Sequence, residues 1–186
     1  MEPIEAFHHL GLLSLVSIFA GLGYILKRWG RVSIMSLSSH AARQRHSYLV
    51  FASAITVSCV LFALFMFGWL IPTLGLPAWY AALTAVALVC ALIAAYVPDN
   101  GGRNSTIHGM GAWTMAVSSL VLVAGLLFSS GVGVAAKFIA SILLSYMLLD
   151  WILFLFVKWS HKFFLVFQSS YMVCFYVAML VAAYLR

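Results

Sequence analysis

Asp150 is the acidic side chain set inside an otherwise apolar run, seven residues before Val157 and so about 10 Å from the end of that run at 1.5 Å per helical residue. A carboxylate surrounded by hydrocarbon is costly, and its default reading is a site that meets a ligand, a proton or a buried partner. A second group lies in the polar interval Val97 to Trp113, VPDNGGRNSTIHGMGAW, which carries Asp99, Arg103 and His108. Aspartate and histidine held together can bind a metal, relay a proton or, with Arg103 assisting, grip a polar head group. Each has a purely structural alternative. Asp99 can pair with Arg103 or cap the turn, His108 can donate to a loop carbonyl, and Asp150 can sit as a neutral acid hydrogen-bonded to Tyr146 or a neighbouring helix. If Asp150 faces inward, its expected partners are His46, His108, His161, Arg45 and Arg103, which start or flank helices on the same side.

The elements that must position these residues follow from composition. A chain of 186 residues that is 65% hydrophobic and 8% charged, with a mean hydropathy of +1.10, has too few polar residues to cover one water-soluble core. Six apolar runs are each long enough to cross about 30 Å of hydrocarbon as helix: Phe7 to Leu26, Tyr48 to Ile71, Trp79 to Val97, Ile107 to Phe128, Val134 to Val157 and Phe163 to Leu185. They are apolar on every side rather than alternating, which excludes a barrel and leaves helices as the spans. The expected fold is all-α, a polytopic membrane protein forming one six-helix transmembrane domain over residues 1–186. The first run is expected to stay in the mature chain, because Glu2 and Glu5 precede it where a signal peptide carries Lys or Arg.

Orientation is read from the basic residues. Lys27, Arg28, Arg31, Arg43, Arg45, Arg103, Lys158 and Lys162 fall in alternate loops on one side, against Lys137 and Arg186 on the other. The three basic loops are therefore expected in the cytoplasm and both termini outside, in a bacterial inner membrane. That topology, with anionic lipid, accounts for the net charge of +6. No nucleic-acid partner is implied.

The first basic loop, Lys27 to Ser47, reads mainly as a positive-inside anchor, with a short surface-lying amphipathic piece as its alternative. Pro72 and Pro77 are expected to end the second span and begin the third. Pro98 stops the third span, and Ser105 or Thr106 is expected to cap the fourth. Small residues recur on two faces, Gly11, Ser14, Ser17 or Ile18 and Gly21 in the first span and Gly111, Ser118 and Gly125 in the fourth, as close helix packing requires. Gln168 and Tyr171 are expected to hydrogen-bond across helices. His8 and His9 point about 100° apart on a helix and so do not share one metal. Cys59, Cys90 and Cys174 lie singly in different spans and signal neither a disulfide framework nor a thiolate site. No histidine pair lies within the spans to hold haem, and no phosphate-binding or hydrolase motif is present. Neither a metal nor a cofactor is expected.

The VPD turn, the Ser105-Thr106 pair followed by Ile107-His108-Gly109, and the Phe167-Gln168…Tyr171 run in the last span resemble the bacterial membrane family called domain of unknown function 998, and more distantly the DRAM-like membrane proteins. That resemblance implies the six-span fold and a membrane location, and no mechanism. On the residues, the expected function is non-enzymatic. A cytoplasmic-side cluster of Asp99, Arg103, His108, Asp150, His46 and His161 would bind a lipid head group, a small ligand or a partner, in lipid handling, transport or an accessory role. Membrane lipids, other membrane subunits or a second copy of the chain are its expected partners. The alternative is an intramembrane metal-dependent lipid hydrolase using Asp99, His108 and Asp150.

Overall fold

A computed structural model describes residues 4–29, 36–42, 44–99, 102–157 and 162–185. The expected six spans are there: helices long and apolar enough to cross a membrane run over Glu5–Trp29, Arg45–Leu74, Ala78–Tyr96, Arg103–Phe128, Val134–Phe156 and Phe164–Tyr184. No strand occurs among the described residues. In chain order the elements are α1 (Leu10–Trp29), α2 (Leu37–Ala42), α3 (Arg45–Phe65), α4 (Ile71–Leu74), α5 (Ala78–Tyr96), α6 (Gly102–Phe128), α7 (Val134–Phe156) and α8 (Phe164–Tyr184). Successive spans pack on one another, α1 on α3, α3 on α5, α5 on α6, α6 on α7 and α7 on α8, and α8 also meets α1 and α6. The bundle thus closes into a ring. One end carries the basic loops and is called the basic end below.

Two expectations about helix ends are corrected. Pro72 does not end the second span; α3 continues through a wider π segment, Met66–Leu70, into α4 and stops only at Leu74. A proline cannot donate to the carbonyl four residues back, which here is Gly68. The π segment takes up the misfit, and the Gly68 carbonyl instead accepts the Ile4 N–H at 2.8 Å. The stop comes at Gly75, left-handed with φ 59°, where Leu76 N–H returns to the Ile71 carbonyl at 3.0 Å. The second correction concerns α6, which begins at Gly102 rather than near Ile107, so Ser105 lies inside its first turn and is not its cap. Hydropathy sees only the apolar part of a helix, and this one extends a polar turn beyond it.

The small-residue faces pack as expected. Gly11 lies under the Phe65 ring, Gly21 against Ala54, and Gly125 against Trp79 and Tyr80. A Cβ on Gly111 would meet Ile93 Cγ2 at 3.0 Å and the Cys90 carbonyl oxygen at 3.1 Å, so only hydrogen lets α5 and α6 approach this closely. At the far end His8 stacks on Trp69 with ring centroids 4.0 Å apart, and His9 Nδ1 meets the Tyr184 hydroxyl at 2.7 Å. Those two histidines tie the start of the first span to α8 and the π segment, in keeping with a structural reading.

Gly109 provides an internal control, because nothing lies within 4 Å of where its Cβ would be. Gly111→Leu is expected to cost about 1–3 kcal/mol through overpacking, whereas Gly109→Leu should stay within about 0.5 kcal/mol of the parent. Thermal unfolding of the detergent-solubilised chain distinguishes them; equal shifts would remove the α5–α6 contact from the account.

Candidate functional site

The basic end is closed by α2, six residues of the loop Lys27 to Ser47 that pack into the bundle. Leu37, Ser38, His40 and Ala41 are all buried, so the helix is sunk into the mouth of the ring. A six-residue helix has little intrinsic stability, and its orphan N–H groups need partners. Ser36 supplies one, its Oγ accepting from Ser39 N–H at 3.0 Å. Gln168 on α8 supplies the other, its Oε1 accepting from Leu37 N–H at 2.9 Å. Tyr171, three residues on, donates to the Ala116 carbonyl of α6 at 2.6 Å. Both residues therefore bond across helices, as their positions suggested.

His108 makes the second attachment. Its Nδ1 lies 2.9 Å from the Val97 carbonyl, which can only accept, so Nδ1 carries the proton. In the neutral ring Nε2 is then the acceptor, and the Ser38 hydroxyl donates to it at 2.9 Å. Pro98 is why that carbonyl is on offer: it forces Val97 into an extended conformation (φ −102°, ψ 105°) at the end of α5. Beside this link, Asp99 accepts from Ser39 Oγ at 3.2 Å and from the Ser105 hydroxyl at a closer approach. A single carboxylate thus joins α2 to the first turn of α6.

Beneath α2 is a cavity of about 340 Å³, reached by all six spans. Its walls are largely apolar and aromatic, with Phe51 and Phe62 from α3, Trp113 from α6, Trp151 and Phe154 from α7, and Phe164, Phe167 and Phe175 from α8. Ser38 and His108 stand at its mouth, and Gln168, Asp150 and Tyr171 follow along one side. Ser58 and Tyr176 line its deep end, roughly 18 Å below the start of α8 at 1.5 Å per residue. That deep end is internally satisfied: Ser58 Oγ lies 2.7 Å from the Tyr176 hydroxyl and 2.8 Å from Ser14 Oγ. No family model, curated protein or solved structure matches this chain. Its chemistry has to be read from the cavity.

Asp150 faces inward, 5% exposed, and accepts from Ser170 Oγ at 3.0 Å through Oδ2. None of the basic residues expected as its partners bonds to it among the described residues. Its other oxygen, Oδ1, and the Gln168 amide nitrogen have no protein partner among the described residues, which leaves one acceptor and one donor for an occupant. Of the other sequence candidates, His108 shares the cavity with Asp150, Asp99 sits half-buried at the rim, and Arg103 and His46 are exposed. His161 lies outside the described residues. Ser38 and Ser170 were not singled out from sequence; the signal was there in the Ser36–His40 and Gln168–Tyr171 runs, whose polar residues recur within single helical turns.

His108→Ala would leave the buried Ser38 hydroxyl and the Val97 carbonyl without their shared partner, a loss of about 1–3 kcal/mol. Hydrogen exchange read by mass spectrometry should show the amides of residues 37–42 exchanging faster in that variant, with partial recovery in His108→Gln. Unchanged protection of α2 would mean that His108 does not hold it.

Proposed function

We propose that this membrane protein binds an amphiphile in its interior, with the apolar chain in the aromatic cavity and the polar group beside Asp150 and Gln168, and that it works in lipid handling without covalent chemistry. The observation that carries this is the cavity itself. About 340 Å³ of space with aromatic walls and a few convergent polar groups is what a ligand site looks like. A well-packed membrane bundle has no reason to leave such a volume empty, since helix association in lipid depends on close contact. In this reading α2 is the cover, and the basic loops around it lie on the cytoplasmic side of a bacterial inner membrane. The resemblance to domain of unknown function 998 belongs to the same proposal and adds no mechanism.

Of the other two readings, the metal-dependent hydrolase needs Asp99, His108 and Asp150 to converge on one point. Among the described residues no three His, Cys, Asp or Glu side chains are grouped to hold a metal. Asp99 is taken up by Ser39 and Ser105, and both nitrogens of His108 are engaged. The accessory-subunit reading drew on the small-residue faces, and Gly21, Gly111 and Gly125 are spent on contacts inside the bundle.

Native mass spectrometry of the gently extracted chain tests the proposal. The parent protein should carry a stoichiometric lipid-sized adduct. Ala112→Phe and Ala94→Phe, which fill the cavity from α6 and α5, should each lose it while still unfolding cooperatively. A parent protein without an adduct, or folded variants that keep it, would contradict the reading.

A further inference from the structure

The charge of the cavity narrows the class of its occupant, granted the reading above that an amphiphile sits there. Among the described residues that line it, Asp150 is the acid, His108 is the only basic group, and no Lys or Arg is present. His108 has both nitrogens engaged, by Ser38 and by the Val97 carbonyl, so it offers nothing to an incoming anion. Arg103 and Lys162, two described cations of the basic end, are exposed. Among the described residues, then, an anionic head group would meet a carboxylate and no countercharge; Arg31, Arg43, Lys158 and His161 lie outside them.

Asp150 is 5% exposed, and one of its oxygens bonds only to the neutral Ser170 hydroxyl. A carboxylate so placed is stabilised most by a cation that enters with the ligand, because the pair is then neutral as a whole. The walls add a second, independent preference. Trp113 and Trp151 line the cavity edge to face, with centroids 5.3 Å apart, and Tyr171, also in the lining, follows the Asp150 partner Ser170 on α8. Aromatic faces attract an ammonium group and gain nothing from a carboxylate or phosphate.

We infer that the cavity binds a long-chain amine, its ammonium paired with Asp150 Oδ1 among the Trp113, Trp151 and Tyr171 rings and its alkyl chain directed toward Ser58 and Tyr176. The Gln168 amide nitrogen stands near enough to the mouth to donate to a hydroxyl or other acceptor beside the amine. An amino alcohol would satisfy both groups at once.

The test compares three probes with one chain length and different heads: dodecylamine, dodecanol and dodecanoate, radiolabelled, added to the full chain in lipid nanodiscs at neutral pH. Saturable binding above that of empty nanodiscs is measured for the parent, Asp150→Asn and Ser170→Ala. Dodecylamine should bind the parent on the order of tenfold or more tightly than either of the others, as expected for a desolvated charge pair. Asp150→Asn should abolish that preference while still binding dodecanol, and Ser170→Ala, which keeps the carboxylate, should retain it. If the parent binds all three alike, or favours dodecanoate, the amine assignment is overturned and the cavity reading stands. If none shows saturable binding, both fail. Persistence of the preference in Asp150→Asn would also overturn the assignment, whatever the stability of the variant.

Discussion

A polar group buried within a helix bundle has no water to satisfy it, and this bundle is arranged around that constraint at its basic end. The link from Ser38 through His108 to the Val97 carbonyl is where it is felt most. Three elements meet there: a short helix too small to be stable alone, the end of α5 that Pro98 has opened, and the first turns of α6. Removing the imidazole would take a partner from the half-buried Val97 carbonyl and leave the buried Ser38 hydroxyl only Ser36 Oγ, at 2.9 Å, so the three are held in one arrangement. Asp99 repeats the device at the rim by joining Ser39 to Ser105. With α2 fixed in the mouth of the ring, the space below it is enclosed on the basic side, and a cavity persists where side chains would otherwise have met.

The same constraint explains why the deep and shallow parts of that cavity differ. At the deep end Ser14, Ser58 and Tyr176 satisfy one another across α1, α3 and α8, which ties three spans together and presents a finished surface. Along α7 and α8 the polar groups are left half-used among the described residues. Ser170 meets one oxygen of Asp150, and Gln168 spends its carbonyl oxygen on α2 and keeps its amide nitrogen. Polar capacity that a folded membrane protein does not use internally is expensive to retain, which is the physical reason for reading this stretch as the place where something else binds.

Sequence made the spans legible because hydropathy over about 20 residues reports directly what crosses the bilayer. It also made Asp150 and His108 legible as candidates, since a charged or titratable group in or beside an apolar run stands out. It could not show α2, because six residues give no periodic signal and the burial of Leu37 and Ser38 depends on Gln168, more than a hundred residues away. Asp99 is a different case. Sequence left it to pair with Arg103, four residues on, or to cap the turn, and Asp99 turns to two serines while Arg103 stays exposed. Nor does a cavity leave any mark on sequence, for the residues that line it are the same Phe, Trp and Ala that would otherwise fill it. Pro72 shows how local rules bend: a helix stop in most settings, it is carried here by a π segment and by the Ile4 N–H that takes up the orphaned carbonyl.

The most direct test of the central claim, that the space beneath α2 holds a molecule rather than collapsing, is a cryo-EM map of the protein in native-lipid nanodiscs at a resolution that shows side chains. A continuous elongated density bounded by α3, α6, α7 and α8 is expected, with one end beside Asp150 and Gln168 and the other near Ser58 and Tyr176. Aromatic side chains of α6 and α8 closed over an empty centre, with Asp150 turned away from it, would contradict the claim.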